Sequence, residues 1–526
     1  MSTDKTFPRH PHHHIARSAT TIGIATLCSR ILGFIRDIVI ARLFGIFVYA
    51  QAFVIAFRIP NLLRDLVGEG ATNAAFVPVF SEYNEKHSKE EFWELANVVL
   101  NLLLVILSAI TILGIIFSPL IVRLIAPGFI SDPYKLAVTI QLNRIIFPYI
   151  LLIGLTAYAM GILNSLKHFA APAFAPCLLN ISIIIFAMFF GEGITGLASG
   201  ILVGGFLQLG VQLPVLYKKG FRLNLFKRFK HPQAKSIGKL MLPRVLSSCI
   251  YQLNNFVDSI LGSLAWIVGE GGVAVLYYSY RLILFPLGIF STALSQAILP
   301  TFSVQALEAD HEKLKKTLSF GLRSVFLLML PASLAFMVLS RPIISTLFEY
   351  GKFDAYSAHV TANTLFYYSI GLSAYGATRI LQSCFFALKD TLTPTKVTFL
   401  TLILNIIFSV VLMFPLKVGG LALASSLSGI IGLFVLLSLL KRKLKGWDIG
   451  EIIISFARIL AASLCMGGVC FLISSRDFFL GNSAWAKAAN LSFTIASGLT
   501  SYVVFCLLFR VSEMRELWKW LLKRKI

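Results

Sequence analysis

The chain has 526 residues, of which 57% are hydrophobic and only 13% are charged, with a mean hydropathy of +0.80. This composition excludes a soluble globular domain. A formal net charge of +23 could indicate nucleic-acid binding. The basic residues, however, are concentrated between apolar segments, which is typical of a polytopic membrane protein.

Apolar runs of helical length recur along the chain, without the alternation typical of a membrane β-barrel. We therefore predict an all-α fold with about fourteen transmembrane helices. Residues 218–235, 441–445 and 510–525 form basic segments, whereas 191–195 and 268–272 contain no Lys or Arg. By the positive-inside rule we predict an inner (plasma) membrane protein with both termini in the cytoplasm.

The first predicted span follows a basic tail and carries Arg30, Arg36 and Asp37 within an apolar stretch. It lacks an evident small-residue cleavage site, so we expect it to be retained. An ionised side chain at the bilayer centre costs roughly 2.5–3.5 kcal/mol, so these residues should face protein or a wet cavity. Helical spacing places Arg30 and Asp37 on one face and Arg36 on another, unless Gly33 interrupts the helix.

A polar stripe follows on the second predicted span. Its members recur at helical spacing: Arg58, Asn61, Asp65, Gly68 and Glu69. Arg64 flanks the stripe. Pro60 removes a backbone donor inside this helix, so we expect a bend or an unwound turn near the stripe.

The sequence repeats itself about 220 residues further along the chain. Residues 75–81 (AFVPVFS) match 297–303 (AILPTFS), and 154–158 (GLTAY) match 371–375 (GLSAY). We therefore predict two six-helix lobes of the same orientation, related by a pseudo-twofold axis along the membrane normal. The predicted segments are a cytoplasmic tail at 1–16, an N-lobe at 17–218, a basic linker at 219–235, a C-lobe at 236–442, two further spans at 443–512 and a basic tail at 513–526.

Intramembrane arginines outnumber intramembrane carboxylates, and Arg244 and Arg281 are isolated cations of the second lobe. A guanidinium group stays charged, and its planar fork of donors matches phosphate or carboxylate. The excess of positive charge indicates an anionic ligand. The alternative is that the arginines pair with Asp37, Asp65 and Glu69 and only hold the helices together.

The sequence contains no Gly-rich phosphate loop and no metal-spaced cluster, and we predict neither a cofactor nor a metal site. A membrane enzyme acting on polyprenyl phosphates would need carboxylates or His in a substantial loop, and the non-cytoplasmic loops are short. Asp37, Asp65 and Glu69 could in principle be catalytic, but a transporter is favoured. A scaffold without transport would leave the buried charge unexplained.

Several motifs together resemble those of the MurJ (MviN) family of lipid II flippases, in the multidrug/oligosaccharidyl-lipid/polysaccharide exporter superfamily. They are SRILGFIRD at 29–37, PNLLR at 60–64, EGA at 69–71, AFVP at 75–78, APGF at 126–129, PAFAP at 172–176 before Asn180, YRL at 280–282 and YGKF at 350–353. The similarity extends almost from end to end.

The resemblance implies fourteen helices, with two six-helix lobes that rock about a central cationic cavity and two C-terminal helices that form a groove for a polyprenyl tail. It places the cavity cations on Arg30, Arg36, Arg64 and Arg281, and a cavity carboxylate on Asp37. Asp65 and Glu69 are further gating candidates, and Arg58, Arg244, Asn61 and Gln51 are secondary candidates.

Three positions depart from the family pattern. Gln51 and Tyr280 stand where many relatives carry Asp, and Leu284 replaces an acid seen in some members. An ion-coupling or proton-coupling role at these positions is therefore not predicted for this chain.

The resemblance implies a lipid II flippase, which moves the undecaprenyl-diphosphate-linked peptidoglycan precursor from the cytoplasmic to the outer leaflet by alternating access. The expected partners are lipid II, membrane lipids and a coupling ion, with no nucleic acid. Two alternatives stay open: a flippase for another polyprenyl-diphosphate-linked glycan, and, less favoured, a cation-coupled drug exporter. A drug site should be lined by carboxylates and aromatic rings, whereas the excess here is arginine.

Overall fold

All regular structure in the described part of the chain is helical, which confirms the predicted fold class. The computed structural model describes residues 11–64, 76–190, 193–225, 229, 231–308, 311–475 and 483–514. The chain divides into two compact units, Met1–Leu253 and Asn254–Ile526.

The first unit contains ten helices and most of an eleventh among its described residues. They are α1 (Pro11–Phe44), α2 (Val48–Arg64), α3 (Val77–Lys86), α4 (Lys89–Ile116), α5 (Ser118–Ile125), α6 (Pro133–Ile146), α7 (Tyr149–Ser165), α8 (Ala170–Phe189), α9 (Ile194–Gly210), α10 (Leu213–Lys218) and α11 (Pro232–Gly262). A 3₁₀ turn at Pro127–Ser131 joins α5 to α6.

The second unit begins within α11 and continues with eleven helices in its described part. They are α12 (Ala265–Val268), α13 (Gly272–Pro286), α14 (Ala293–Leu307), α15 (His311–Val338), α16 (Ser340–Leu347), α17 (Ala355–Ile370), α18 (Leu372–Ala387), α19 (Leu392–Leu416), α20 (Val418–Lys443), α21 (Gly450–Ser474) and α22 (Ala484–Leu508). A π-helical turn at Leu287–Thr292 joins α13 to α14.

Ten helical segments among the described residues are long and apolar enough to cross a bilayer. Seven are single helices (α4, α8, α15 and α19 to α22), and three combine α6 with α7, α9 with α10, and α13 with α14. Four further stretches stand outside this set: α1, α2, α11 and the consecutive α17 and α18. Helix α2 has 17 residues and α17 and α18 have 16 each. With these four, the helices are consistent with the predicted fourteen spans.

The internal repeat is visible in matching local geometry within each unit. Asp132 begins α6 and Asp354 begins α17, and each carboxylate accepts a hydrogen bond from the backbone N–H three residues on, at 3.0 and 2.8 Å. Lys167 follows α7 and Lys389 follows α18, and both have a left-handed φ of 58°. The two pairs have the same separation along the chain. Each copy of the repeat therefore builds this helix pair in the same way.

Glycines set the distance between α8 and α9. Gly196, Gly200 and Gly204 lie four residues apart on one face of α9, and small residues at that spacing let transmembrane helices approach closely. A Cβ atom on Gly200 would lie only 2.9 Å from the Cα of Ile183. At this contact the Ser182 hydroxyl donates to the Gly200 carbonyl at 2.8 Å. Helix α8, which also packs against α1, is thereby fixed in the first unit.

Part of the predicted linker, residues 219–235, is anchored to α4. Asn97 donates to the Arg222 carbonyl at 3.0 Å and accepts from the Asn224 N–H at 2.8 Å. Phe221 is buried and contacts Trp93, with ring centroids 5.6 Å apart. From Pro232 onward the segment belongs to α11.

The last two described helices pack on α15. The Trp447 indole, just before α21, donates to Ser319 at 3.0 Å, and the Tyr502 hydroxyl of α22 donates to the Leu327 carbonyl at 2.6 Å. Both polar groups are buried, so these bonds fix the helices in the second unit. Their role as a groove for a lipid tail stays a prediction.

Candidate functional site

A buried ion pair lies in the last third of α1. Arg36 Nε and Nη2 donate to Asp37 Oδ1 at 3.1 and 2.8 Å, and the two side chains are 4% and 0% exposed. Helix α1 is continuous through Gly33, yet Arg36 still reaches its neighbour. The expectation that Arg36 would face away from Asp37 is therefore wrong. The long arginine side chain reaches the adjacent carboxylate because a buried charge without a partner is strongly unfavourable.

Asn180 of α8 completes this cluster. Its Oδ1 accepts from Arg36 Nη1 at 3.1 Å, and its Nδ2 donates to the carbonyls of Ser29 and Pro176 at 3.2 and 3.3 Å. One carboxamide thus joins the α1 guanidinium, the α1 backbone and the α8 backbone. Sequence reasoning quoted Asn180 in a motif but gave it no role. The signal was a single carboxamide in the apolar run from Cys177 to Phe190.

Arg30 lies two turns before Asp37 on α1 and differs sharply from Arg36. It is exposed, and it makes no hydrogen bond or ion pair with any described residue. Arg42, near the other end of the same helix, is also exposed. Among the described residues, neutralisation by a carboxylate is therefore seen for Arg36 and not for Arg30. An exposed guanidinium on a membrane helix, with no counter-ion in the described part of the chain, can bind an anion.

Helix α2 places further polar groups inside the first unit. Gln51 is 2% exposed, and neither its Nε2 nor the Oδ1 of Asn61 has a hydrogen-bond partner among the described residues. Arg58 is half-buried on the same helix, which continues through Pro60 to Arg64. The candidate carboxylates Asp65 and Glu69, like the rest of the stripe beyond Arg64, lie outside the described residues.

Arg281 lies in α13 of the second unit and is half-buried. Tyr280 packs its ring against Tyr368 of α17 at a centroid distance of 5.5 Å, and the Ser279 hydroxyl donates to the Thr361 carbonyl at 3.0 Å. These contacts fix the turn that carries Arg281. Arg244 lies within α11, and its side chain is outside the described part of the structure.

Arg379 of α18 is a half-buried cation that sequence reasoning missed. Its Nη1 donates to the Thr292 hydroxyl, in the π-helical turn between α13 and α14. The neighbouring Ser291 hydroxyl donates to the Gly376 carbonyl at 2.9 Å. The available signal was an arginine within the apolar stretch of α18. Because π-helical turns often occur at functional sites, Arg379 is a further candidate site residue.

These features define the class of protein. The chain is a polytopic α-helical membrane protein that keeps guanidinium groups within its membrane helices, and such groups mark substrate or ion pathways. The family model "Lipid II flippase MurJ" matches residues 40–487, well over half of the chain. The chain belongs to the MurJ family.

Relatives of known name support this assignment. The "Probable lipid II flippase MurJ" of Buchnera aphidicola subsp. Schizaphis graminum is 36% identical over 460 residues, which cover 86% of this chain and 88% of the relative. The "Lipid II flippase MurJ" of Burkholderia cenocepacia is 34% identical over 469 residues, covering 87% and 89%.

Solved structures agree. A structure described as "Lipid II flippase MurJ, inward closed conformation" matches with a TM-score of 0.78 and 30% identity, covering 93% of this chain and 98% of that one. An inward-facing multidrug resistance MATE family transporter of the MOP superfamily matches with a TM-score of 0.67 at 16% identity, over 81% of this chain and 98% of that one. The second match shows a shared fold alone.

Proposed function

We propose that this chain is a lipid II flippase, which moves the undecaprenyl-diphosphate-linked precursor from the cytoplasmic to the outer leaflet by alternating access. The observation that carries the proposal is the contrast on α1 between a neutralised Arg36 and an exposed Arg30, in a chain that belongs to the MurJ family. The ion pair with Asp37 accounts for the burial of Arg36. In the proposal, Arg30 binds the anionic part of the substrate.

The chemistry of the substrate fits this contrast. A diphosphate cannot enter hydrocarbon without compensation of its negative charge, and arginine compensates it with several directed donors at once. In the proposal Arg30 makes the first contact with the diphosphate, and Arg64 and Arg281 contribute further positive charge. The polyprenyl tail stays in lipid or along α21 and α22.

Arg36 has a different role in this proposal. Each of its three nitrogen atoms already donates one hydrogen bond to Asp37 or Asn180, so its guanidinium is oriented before any ligand arrives. A diphosphate that displaced Asp37 would separate this buried carboxylate from the Arg36 cation, which is strongly unfavourable. We therefore infer that Arg36 keeps Asp37 and holds α1 against α8, where it positions Arg30. The secondary candidates Arg58, Arg244 and Asn61 supply polar lining.

The energy source for the conformational switch does not involve residue 51. Gln51 is buried and has no titratable proton, so proton uptake at this position is not part of the mechanism. We propose that a cation gradient or the membrane potential biases the conformational switch. From the distribution of Lys and Arg we also propose that both termini lie in the cytoplasm and that the protein lies in the inner membrane.

The experiment uses the purified full chain in liposomes loaded with lipid II, and measures its accessibility on the far leaflet. Arg30→Gln and Arg281→Gln should reduce translocation at least about tenfold, as expected when a charge-assisted contact is removed. Arg42→Gln is the matched control, because Arg42 is also exposed on α1 and carries no predicted role. Normal translocation by Arg30→Gln, with equal protein in the membrane, would refute the proposal.

The same liposomes separate the alternative substrates. Another polyprenyl-diphosphate glycan that competes with lipid II at equal concentration would show that the diphosphate and tail, not the peptidoglycan headgroup, are recognised. A second test replaces an essential lipid II flippase in cells by this chain and scores lipid II exposed on the outer leaflet. Failure of this replacement, with the chain present in the membrane, would favour another glycan.

A further inference from the structure

A polar cleft lies in the second unit between the middle of α15, the first turns of α21 and the segment that follows α22. It has a volume of about 230 Å³. Arg323 comes from α15, α21 contributes residues of its first turns, and the segment just after α22 closes the cleft. Its lining residues are Arg323, Glu451, Ile454, Ser455, Arg458, Val511, Ser512 and Glu513. Because Glu451 is in the first turn of α21 and Val511 follows the end of α22, the cleft lies at a membrane–water boundary.

The charges of this cleft are balanced but spatially separated. Arg323 Nη1 lies 3.2 Å from Glu513 Oε1 and 3.7 Å from Glu451 Oε2, so one cation faces two carboxylates. Arg458 has no carboxylate of a described residue within ion-pair distance, and its one hydrogen bond is to the Arg510 carbonyl, at 3.4 Å. The cleft thus has an acidic side around Arg323 and a basic side at Arg458.

Three buried polar atoms of the cleft lack a hydrogen-bond partner among the described residues. They are Arg323 Nε, Ser455 Oγ and Glu513 Oε1. The contact of Glu513 with Arg323 is an ion pair without hydrogen-bond geometry. Buried polar atoms are rarely left unsatisfied, so their convergence on one cleft indicates a polar occupant that both donates and accepts hydrogen bonds.

We propose that this cleft binds the headgroup of a zwitterionic aminophospholipid. The phosphate lies against Arg458 and the Ser455 hydroxyl, and the ammonium group lies between Glu451 and Glu513. Two arginines and two glutamates leave the cleft neutral, and a zwitterion preserves that neutrality, whereas an anionic lipid would add uncompensated charge.

Apolar surface beside the cleft favours a lipid over a soluble zwitterion. Ile454 lines the cleft and is 54% exposed, and Leu508 at the end of α22 is 67% exposed. Acyl chains attached to a headgroup in the cleft can lie along these side chains. The cleft contains none of the residues proposed to bind the diphosphate.

Native mass spectrometry of the purified full chain tests this proposal with three lipids of identical acyl chains: phosphatidylethanolamine, phosphatidylcholine and phosphatidylglycerol. We expect the first to bind most tightly, because a quaternary ammonium cannot donate to Glu451 or Glu513 and phosphatidylglycerol has no cation. Arg458→Gln should weaken phosphatidylethanolamine binding by roughly tenfold, the loss expected for one charge-assisted contact. Arg442→Gln, which removes an exposed arginine of α20, should leave it unchanged.

Glu451→Gln provides a second variant, since this side chain is 74% exposed and its replacement should not disturb folding. It should weaken phosphatidylethanolamine binding and leave phosphatidylglycerol binding unchanged. Equal affinities for the three lipids, or an equal loss in Arg458→Gln and Arg442→Gln, would overturn the proposal. Absence of any retained lipid would show that water alone satisfies the cleft and would also overturn it.

Discussion

Arg36 donates from both Nε and Nη2 to a single oxygen of Asp37, the next residue in the chain. Neighbouring residues on a helix point in different directions and do not usually face each other. The pair forms because both side chains are removed from water, where a charge without a partner is strongly unfavourable. Asn180 accepts a hydrogen bond from Nη1, so all three guanidinium nitrogens of Arg36 donate to partners that the fold positions.

Replacement of Asp37 by Asn should destabilise the first unit. The Arg36 charge would stay buried without the Asp37 carboxylate, and breaking one partner of a buried pair costs roughly 3–5 kcal/mol. The measurement is thermal unfolding of the purified protein in detergent. The double variant Arg36→Gln with Asp37→Asn removes both charges and should recover part of the loss. Equal stability of Asp37→Asn and the unmodified protein would show that the pair is not structural.

Asn180→Leu should impair translocation more than it impairs folding. The substitution removes the amide that links Arg36 to the α1 and α8 backbones, so α1 and the exposed Arg30 lose their fixed position. Transport in liposomes is the measurement, normalised to folded protein. Ile181→Leu is the matched control, because Ile181 follows directly in sequence and is 38% exposed. Unchanged transport by Asn180→Leu would remove Asn180 from the positioning role.

Gly200→Ala should destabilise the contact between α8 and α9. The added Cβ would lie 2.9 Å from the backbone Cα of Ile183, so the helices must separate. Overpacking of this kind costs roughly 1–3 kcal/mol. Gly210→Ala is the control on the same helix, since a Cβ there meets nothing within 4 Å. A lower midpoint of thermal unfolding for Gly200→Ala alone is expected, and equal midpoints for both variants would contradict the role of close packing.

Asp390, in the loop between α18 and α19, should contribute stability that disappears in acid. The hydrogen bond and charge of Lys443, at 2.6 Å, together with hydrogen bonds from Thr393, lower the pKa of Asp390 to about 2. Because this pKa is lower than in the unfolded chain, the contribution is present above about pH 4 and is lost as the pH falls towards 2. Thermal unfolding at stepped pH should therefore show Asp390→Asn less stable at neutral pH.

The same pair of proteins provides the control for this prediction. Their unfolding midpoints should converge between about pH 4 and pH 2, where the Asp390 carboxylate becomes protonated and resembles the amide. A constant difference down to pH 2 would assign the effect of the substitution to a cause other than ionisation.

The fold was largely predictable because its signals are local in the sequence. Long apolar runs specify membrane helices, and the matches at 75–81 and 154–158 identify the repeat, whose copies share the caps of Asp132 and Asp354. The ion pair was not predictable from helical spacing, since the direction of a long arginine side chain depends on what surrounds it. Arg379 and Asn180 were missed for a related reason. Each side chain is positioned by a hydrogen bond to a residue distant in sequence: Arg379 bonds to Thr292, and Asn180 bonds to Arg36.

Lys167 and Lys389 are charged residues at two positions where the backbone conformation is strained for any residue but glycine. A left-handed conformation is unfavourable for any side chain with a Cβ, and glycine is the usual residue after a helix. Both lysines nevertheless adopt a φ of 58° after α7 and α18, on the side predicted to be cytoplasmic. Glycine at these two positions would relieve the backbone strain but remove two cations that, on the predicted topology, favour the cytoplasmic side while each helix pair inserts into the bilayer.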